Sequence, residues 1–334
     1  MMDGLLSQIE TVSPHLERRA RSFLPSTSSW IICEGLAGLR TQALGLAEAA
    51  GLRPAQYDLR AHAPWRFISP DIWPLWAARH AAGTLPPSGP DLLISCGGLA
   101  AAVGLANRGD ARLVHVQHPR RNIGKFDFIV AAQHDGLTGP NVFVTRTALH
   151  RVTPARLAAA GAAWEKPFRH LPRPLVAVLL GGSNGRFTLN EGVANELADD
   201  LGMMMAADKV GVAITPSRRT HPNVSATIAR KLQPFGAWMW DLHGENPYFG
   251  LLALADMIIV TIDSVSMVSE AAATGAPILL AGLPGRSRRI GAFLDGLRAG
   301  GRARDFAGRY EHWPVKPIDD TPEAAFEMRR RLGF

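Results

Sequence analysis

"MIIVTIDSVSMVSEAAATGAPILLAG", residues 257–282, decides the reading of the chain. A continuous apolar run gives way to a polar turn and then to an Ala-rich stretch of helical character. A second apolar run, "APILL", follows. Strands buried on both faces read as unbroken apolar runs, and a helix between two of them is the crossover of a parallel sheet. The turn is unusual. It holds Asp263, Ser264 and Ser266 where strand passes to helix, and Glu270 stands about one turn further in. Helix capping explains one such residue but not all of them.

The same order recurs on both sides. Upstream come "LVAVLLGG" (175–182), "GVAITPS" (211–217) and "GAWMWD" (236–241). Before the proline-punctuated "EKPFRHLPRP" (165–174) lies another series: "WIIC", "DLLISC", "RLVHVQ", "FDFIVAA" and "NVFVT". A chain of 334 residues exceeds what one core usually serves, so two units are expected. The class is α/β: two Rossmann-like domains facing a cleft, with parallel sheets covered by helices on both faces. The expected division is a helical extension over 1–28, a first domain over 29–168, a second over 169–315 and a closing helix over 316–334.

Hydrophobic residues make up 47% of the chain, a folded composition, and the formal charge of +7 favours anionic partners. The arginines are dispersed and no nucleic-acid recognition signature appears, so nucleic acid is not expected among the partners. No run approaches a membrane span and no secretory leader opens the sequence, which points to a cytoplasmic protein. Leu5, Ile9, Val12 and Leu16, followed by Arg18, Arg19 and Arg21, have the spacing of a basic amphipathic helix. Such a helix packs on its own domain or touches the inner membrane face. Cys33 and Cys96 are the only cysteines and read as buried thiols.

Ligands in open α/β sheets collect at the carboxyl ends of the strands. Gly181, Gly182, Ser183 and Asn184 form one such turn, where glycines admit a close ligand and free N–H groups attract phosphate. A plain capped turn is the alternative. No P-loop lysine follows, and the dinucleotide glycine pattern is missing. Ser217, Arg218 and Arg219 end the next strand, and adjacent guanidiniums there can fork onto diphosphate oxygens. A helix starting near Ser266 would turn its dipole on the same crevice, with Glu270 placed to accept a ribose diol. A nucleoside-diphosphate sugar suits that set as substrate, with no cofactor. Among Asp199, Asp200, Asp319 and Asp320 no partner stands at ligand spacing, so no metal site is expected.

The "GGS-x-G" turn together with "SEAAATGAP" resembles the GT-B glycosyltransferases, particularly the type that adds N-acetylglucosamine to a lipid-linked peptidoglycan precursor. That resemblance implies that Glu270 holds the donor ribose and that the closing helix crosses back onto the first domain. More narrowly, "SRRT", "NPYFGLLALAD", "TIDSVSMVSEA" and "GPNVFVTRTALHRVTP" are similar to the elongated-mitochondria family of plant mitochondrial fission factors and bacterial homologues. The resemblance runs from about Trp30 onward.

The first domain would then hold the acceptor and supply a base: His118, His134 and Asp135 are the candidates, each of which is equally a turn cap. Gln42 stands behind the Gly35–Gly38 turn. "APWRFISPDIWPLW" (63–76) gathers tryptophans around Arg66, read as internal packing, with a membrane interface or lipid-linked acceptor as the alternative. The expectation is glycosyl transfer without a metal. A non-catalytic interaction scaffold and sugar-nucleotide epimerisation are the two rivals.

Overall fold

The computed structural model describes residues 27–83 and 85–334. The amphipathic helix expected over the first residues lies outside them. The first sheet is built from β1 (Ser29–Cys33), β2 (Ala55–Asp58), β3 (Leu92–Cys96), β4 (Arg112–Val116), β5 (Phe128–Ala132) and β6 (Val142–Thr145). Its order is β2-β1-β3-β4-β5-β6 and every pairing is parallel. Alternate side chains feed opposite faces. Ile31, Ile94, Val114 and Val130 join one core, while Ile32, Leu93, Leu113 and Ile129 join the other. That is why the strands carry no polar alternation. Helices α1 (Ala37–Ala49), α2 (Leu75–Ala78) and α3 (Gly98–Asn107) connect these strands.

A second sheet follows, entered through α4 (Pro154–Phe168). It consists of β7 (Leu175–Leu180), β8 (Gly211–Pro216), β9 (Trp238–Met239), β10 (Met257–Thr261), β11 (Ile278–Ala281) and β12 (Ala303–Asp305). The order is β12-β11-β10-β7-β8-β9, again parallel throughout. Connecting helices are α5 (Glu191–Asp208), α6 (Pro222–Leu232), α7 (Tyr248–Leu254), α8 (Val265–Ala272) and α9 (Arg288–Ala299). The last, α10 (Thr321–Leu332), leaves this sheet altogether.

Two helices pack across the sequence division. Helix α4, expected at the end of the first domain, lies on the second: Val152, Phe168 and Leu171 belong to its core. Trp164 stacks on Phe168 at 5.2 Å, and Gly250 in α7 lies so near that a Cβ there would meet the indole at 2.4 Å. Two small residues, Gly161 and Ala253, close the same helix pair. Conversely, α10 covers the first sheet, with Ala324, Ala325, Met328 and Leu332 packed beside Leu46 and Ala47 of α1. Asp320, just ahead of α10, accepts the backbone N–H and Nε of Arg146 at 2.5 and 2.9 Å.

Each strand order reverses direction once. The switch falls between β1 and β3 in the first sheet and between β7 and β10 in the second. Loops leaving such neighbours run opposite ways and open a crevice at their carboxyl ends.

Candidate functional site

The turns after β7 and β10 flank the second crevice, and their residues are bound to one another. Gly181 N–H donates to Thr261 Oγ1 at 2.8 Å and Gly182 N–H to Asp263 Oδ2 at 3.1 Å. A Cβ on Gly181 would fall 2.1 Å from Asp263 Oδ1, and one on Gly182 would fall 2.1 Å from the Arg219 carbonyl. The protein's own neighbours therefore demand both glycines. Asp263, buried, also accepts Thr261 Oγ1 at 2.7 Å and the Arg219 guanidinium at 2.8 Å. A carboxylate from the chain itself sits where the glycine turn was expected to meet a ligand anion.

Four more of the expected residues are used inside this network. Ser183 Oγ accepts Leu189 N–H at 2.9 Å and donates to its carbonyl at 3.1 Å. Asn184 Oδ1 accepts the N–H groups of Arg186 and Phe187 at 2.8 and 3.0 Å. Ser217 Oγ donates to the Gly181 carbonyl at 3.0 Å, which Thr220 Oγ1 also reaches. Arg219 adds a 3.3 Å bond to the Gly182 carbonyl. Arg218 is exposed and makes no ion pair among the described residues, whereas Arg219 holds Asp263.

Helix α8 starts at Val265, one residue before the expected start. Its cap is Ser264, whose Oγ accepts Met267 N–H at 3.4 Å. Residues 264–267 remain partly exposed, so the amino end opens on the crevice. The carboxyl end is closed. Arg302, 2% exposed, donates from its guanidinium to the carbonyls of Ala271, Ala272, Thr274 and Ala276 at 2.8–3.1 Å. A buried cation on the negative pole fixes the helix from behind, and burial lowers its pKa to about 10.

Glu270 is 6% exposed, and its Oε2 accepts the Tyr248 hydroxyl at 2.5 Å. Burial raises its carboxyl to about 7, against a smaller downward pull from that hydroxyl and from Arg151. Its other oxygen has no hydrogen-bond partner among the described residues, yet is not sealed from solvent. Next to it, Ser269 Oγ accepts Ala148 N–H at 3.0 Å and ties α8 to the interdomain connection.

The first domain meets α8 through an amide chain. Gln117 donates to Gln42 at 3.3 Å and Gln42 to Ser266 Oγ at 3.4 Å. Gly38 approaches the same hydroxyl, which a Cβ would meet at 2.8 Å. Ser266 is thus partly covered. The three proposed bases are not gathered here. His118 Nδ1 accepts Arg120 N–H at 2.9 Å, so a neutral ring carries its proton on Nε2 and has no lone pair left to abstract with. His134 and Asp135 have side chains 3% and 1% exposed, under Arg289 and Phe293 of α9. Burial lowers the His134 pKa to about 4.

Sequence reading passed over Tyr248, Arg302 and a row of exposed arginines. Arg186 and Arg286 stand on the loops after β7 and β11, and Arg288 opens α9. Those loops are zipped by Arg286 N–H to Arg186 O at 3.1 Å and Thr188 N–H to Pro284 O at 2.9 Å. "NGRF" and "LPGRSRR", in the turns that follow two apolar runs, carried the signal.

A family model described as mitochondrial fission ELM1 matches residues 37–332. The chain belongs to the mitochondrial fission ELM1 family. The ELM1-family chain is 32% identical over 284 residues to the mitochondrial fission protein ELM1 of Arabidopsis thaliana, covering 76% of this chain and 66% of that protein. It is 30% identical over 201 residues to the uncharacterized protein RP120 of Rickettsia prowazekii, covering 58% and 56%. The match thus spans less than two thirds of either relative. In fold it is similar to the UDP-GlcNAc 2-epimerase of Methanocaldococcus jannaschii, with TM-score 0.52 and 12% identity over 90% of this chain and 98% of that one. Medicago truncatula UGT71G1, crystallised with UDP-glucose, aligns with TM-score 0.50 and 11% identity over 92% and 91%. The ELM1-family chain has the GT-B type of fold that these neighbours share.

Proposed function

We propose that this chain binds a nucleoside-diphosphate sugar at the carboxyl rim of its second sheet and passes the sugar to an acceptor held by the first domain. The diphosphate lies toward the amino end of α8 and the exposed Arg218, Arg186 and Arg286, and the ribose toward Glu270. One observation carries this reading. Glu270 is a buried carboxyl one turn inside a helix that opens on the crevice, with one oxygen oriented by Tyr248 and the other left unbonded. A diol offers that oxygen the donors it lacks. Helix dipole and guanidiniums offset the charge of a departing diphosphate. The UDP-glucose belongs to the Medicago neighbour, whose likeness carries the fold; its ligand class is our inference here.

Calorimetry with UDP-, GDP-, ADP- and CMP-sugars tests the proposal. Binding to one of them at pH 8, above the raised pKa of Glu270, weakened about tenfold or more in Glu270→Ala, is the expected result, the size of a lost hydrogen bond to a charged group. No heat with any sugar, from folded protein, removes it.

A scaffold reading has its own support: His118 is committed at Nδ1, and His134 with Asp135 is sealed under α9. In this arrangement none of the three offers a free base to an acceptor. A stoichiometric protein partner captured equally by wild type and Glu270→Ala would favour the scaffold. An epimerase would instead form product with no acceptor added.

A further inference from the structure

The loop between β2 and β3 does not pack inward as a whole. Trp73 is buried, donates its indole N–H to Ile68 O at 3.1 Å and meets Trp65 edge-on at 5.6 Å. Around that anchor the other large side chains turn outward. Phe67 is 75% exposed, Ile72 71% and Trp76 71%, with Ile68 and Leu75 also in solvent. Elsewhere among the described residues exposed large apolar side chains are scattered singly along the chain. Soluble surfaces rarely concentrate so much apolar area without a use.

The loop is held, and it is held by cations. Arg121 donates to the carbonyls of Pro70 and Trp73, the latter at 3.0 Å. The Arg66 guanidinium lies 4.6 Å from the centre of the Phe67 ring. Asp71, the acid of the loop, is kept below its ordinary value first by Ser69 Oγ and also by the nearby charges of Arg120 and Arg121. Arg120 is exposed. Three arginines against one carboxylate leave the apolar tip on a positive base.

We propose that this loop is a peripheral membrane contact that inserts Phe67, Ile72 and Trp76 among the headgroups of an anionic bilayer while Arg66 and Arg120 meet lipid phosphates. Aromatic side chains beside arginines suit the interface, where an apolar body and a charged rim are both solvated. No helix among the described residues is long and apolar enough to cross a membrane, so the contact is superficial. A second copy of the chain is the poorer occupant. The tip offers on the order of a few hundred Å², below the ~800 Å² per partner of a stable interface, and its positive rims would face each other. The inference is independent of the nucleotide-sugar reading, since its test contains no nucleotide.

Full-length protein is floated with vesicles of phosphatidylcholine, with and without phosphatidylglycerol. Wild type is expected to bind the anionic vesicles and to release with salt. The Phe67→Ser/Ile72→Ser/Trp76→Ser variant keeps the fold, checked by an unchanged thermal midpoint, and binds about 10- to 100-fold more weakly. Arg66→Glu/Arg120→Glu loses the preference for anionic lipid, about fivefold per unit of charge. Vesicle binding undiminished in the triple variant would place the contact elsewhere and overturn the proposal. So would no wild-type binding, or a wild-type dimer that the triple variant dissolves without either protein binding lipid.

Discussion

Glu270 keeps its proton to about pH 7, whereas in the unfolded chain the same carboxyl ionises near 4.5. Between those values the unfolded state sheds a proton that the fold retains. The residue's contribution to stability is therefore full below pH 4.5 and is lost as pH rises through 7. Glu270→Gln keeps an acceptor for Tyr248 and removes the titration. The variant is expected to exceed wild type by about 1–3 kcal/mol at pH 8 and to match it near pH 4.5. Urea midpoints at both pH values check this, and an unchanged difference between them would mean that Glu270 is ionised in the fold. Asp263 and Glu270 both stood out in the sequence as carboxylates at a strand-to-helix turn. What could not be read was which one is satisfied internally. Asp263 takes its partners from Gly182 and Arg219, and Glu270 from Tyr248; each is far along the chain and near only once the strands have paired.

Helix α8 is gripped at one end and open at the other. The Arg302 guanidinium donates to four carbonyls, two of which have a further donor: Ala271 accepts Thr274, and Ala272 accepts Ile318 N–H. Arg302→Met strips the carbonyls of Thr274 and Ala276 of this donor, and a loss of about 3 kcal/mol is expected in chemical denaturation. A loss below ~1 kcal/mol would show that water replaces the guanidinium. Among elements, the central strands were legible because burial on both faces leaves an apolar run that nothing else explains. The edge strands β2 and β12 were not. "AQYD" and "ARD" are short, polar and mostly exposed, and they pair only because a finished neighbour offers them a template. The loop at 63–76 was half legible: Trp73 and Trp65 pack as an aromatic cluster should, but composition does not reveal which side chains turn outward.

At the scale of the molecule, two α/β units and their Pro-rich connection followed from alternating runs, and the GT-B type of architecture is what they build. The return of α10 to the first unit was expected from the GT-B resemblance, whereas the packing of α4 on the second was not. That packing rests on close fits such as Trp164 against Gly250, which periodicity does not encode. Met328 is fully buried where α10 closes the first sheet, so Met328→Ala is expected to cost about 2–4 kcal/mol. The measurement is denaturant unfolding; a shift under ~1 kcal/mol would mean that α10 is dispensable to the first core. The placement of α10 also sets an order of events at the ribosome. The first sheet emerges early, but its cover is translated only after the whole second sheet has been made. Until then the first core lacks Ala324, Ala325, Met328 and Leu332, so apolar surface stays open for as long as the second unit is being synthesised.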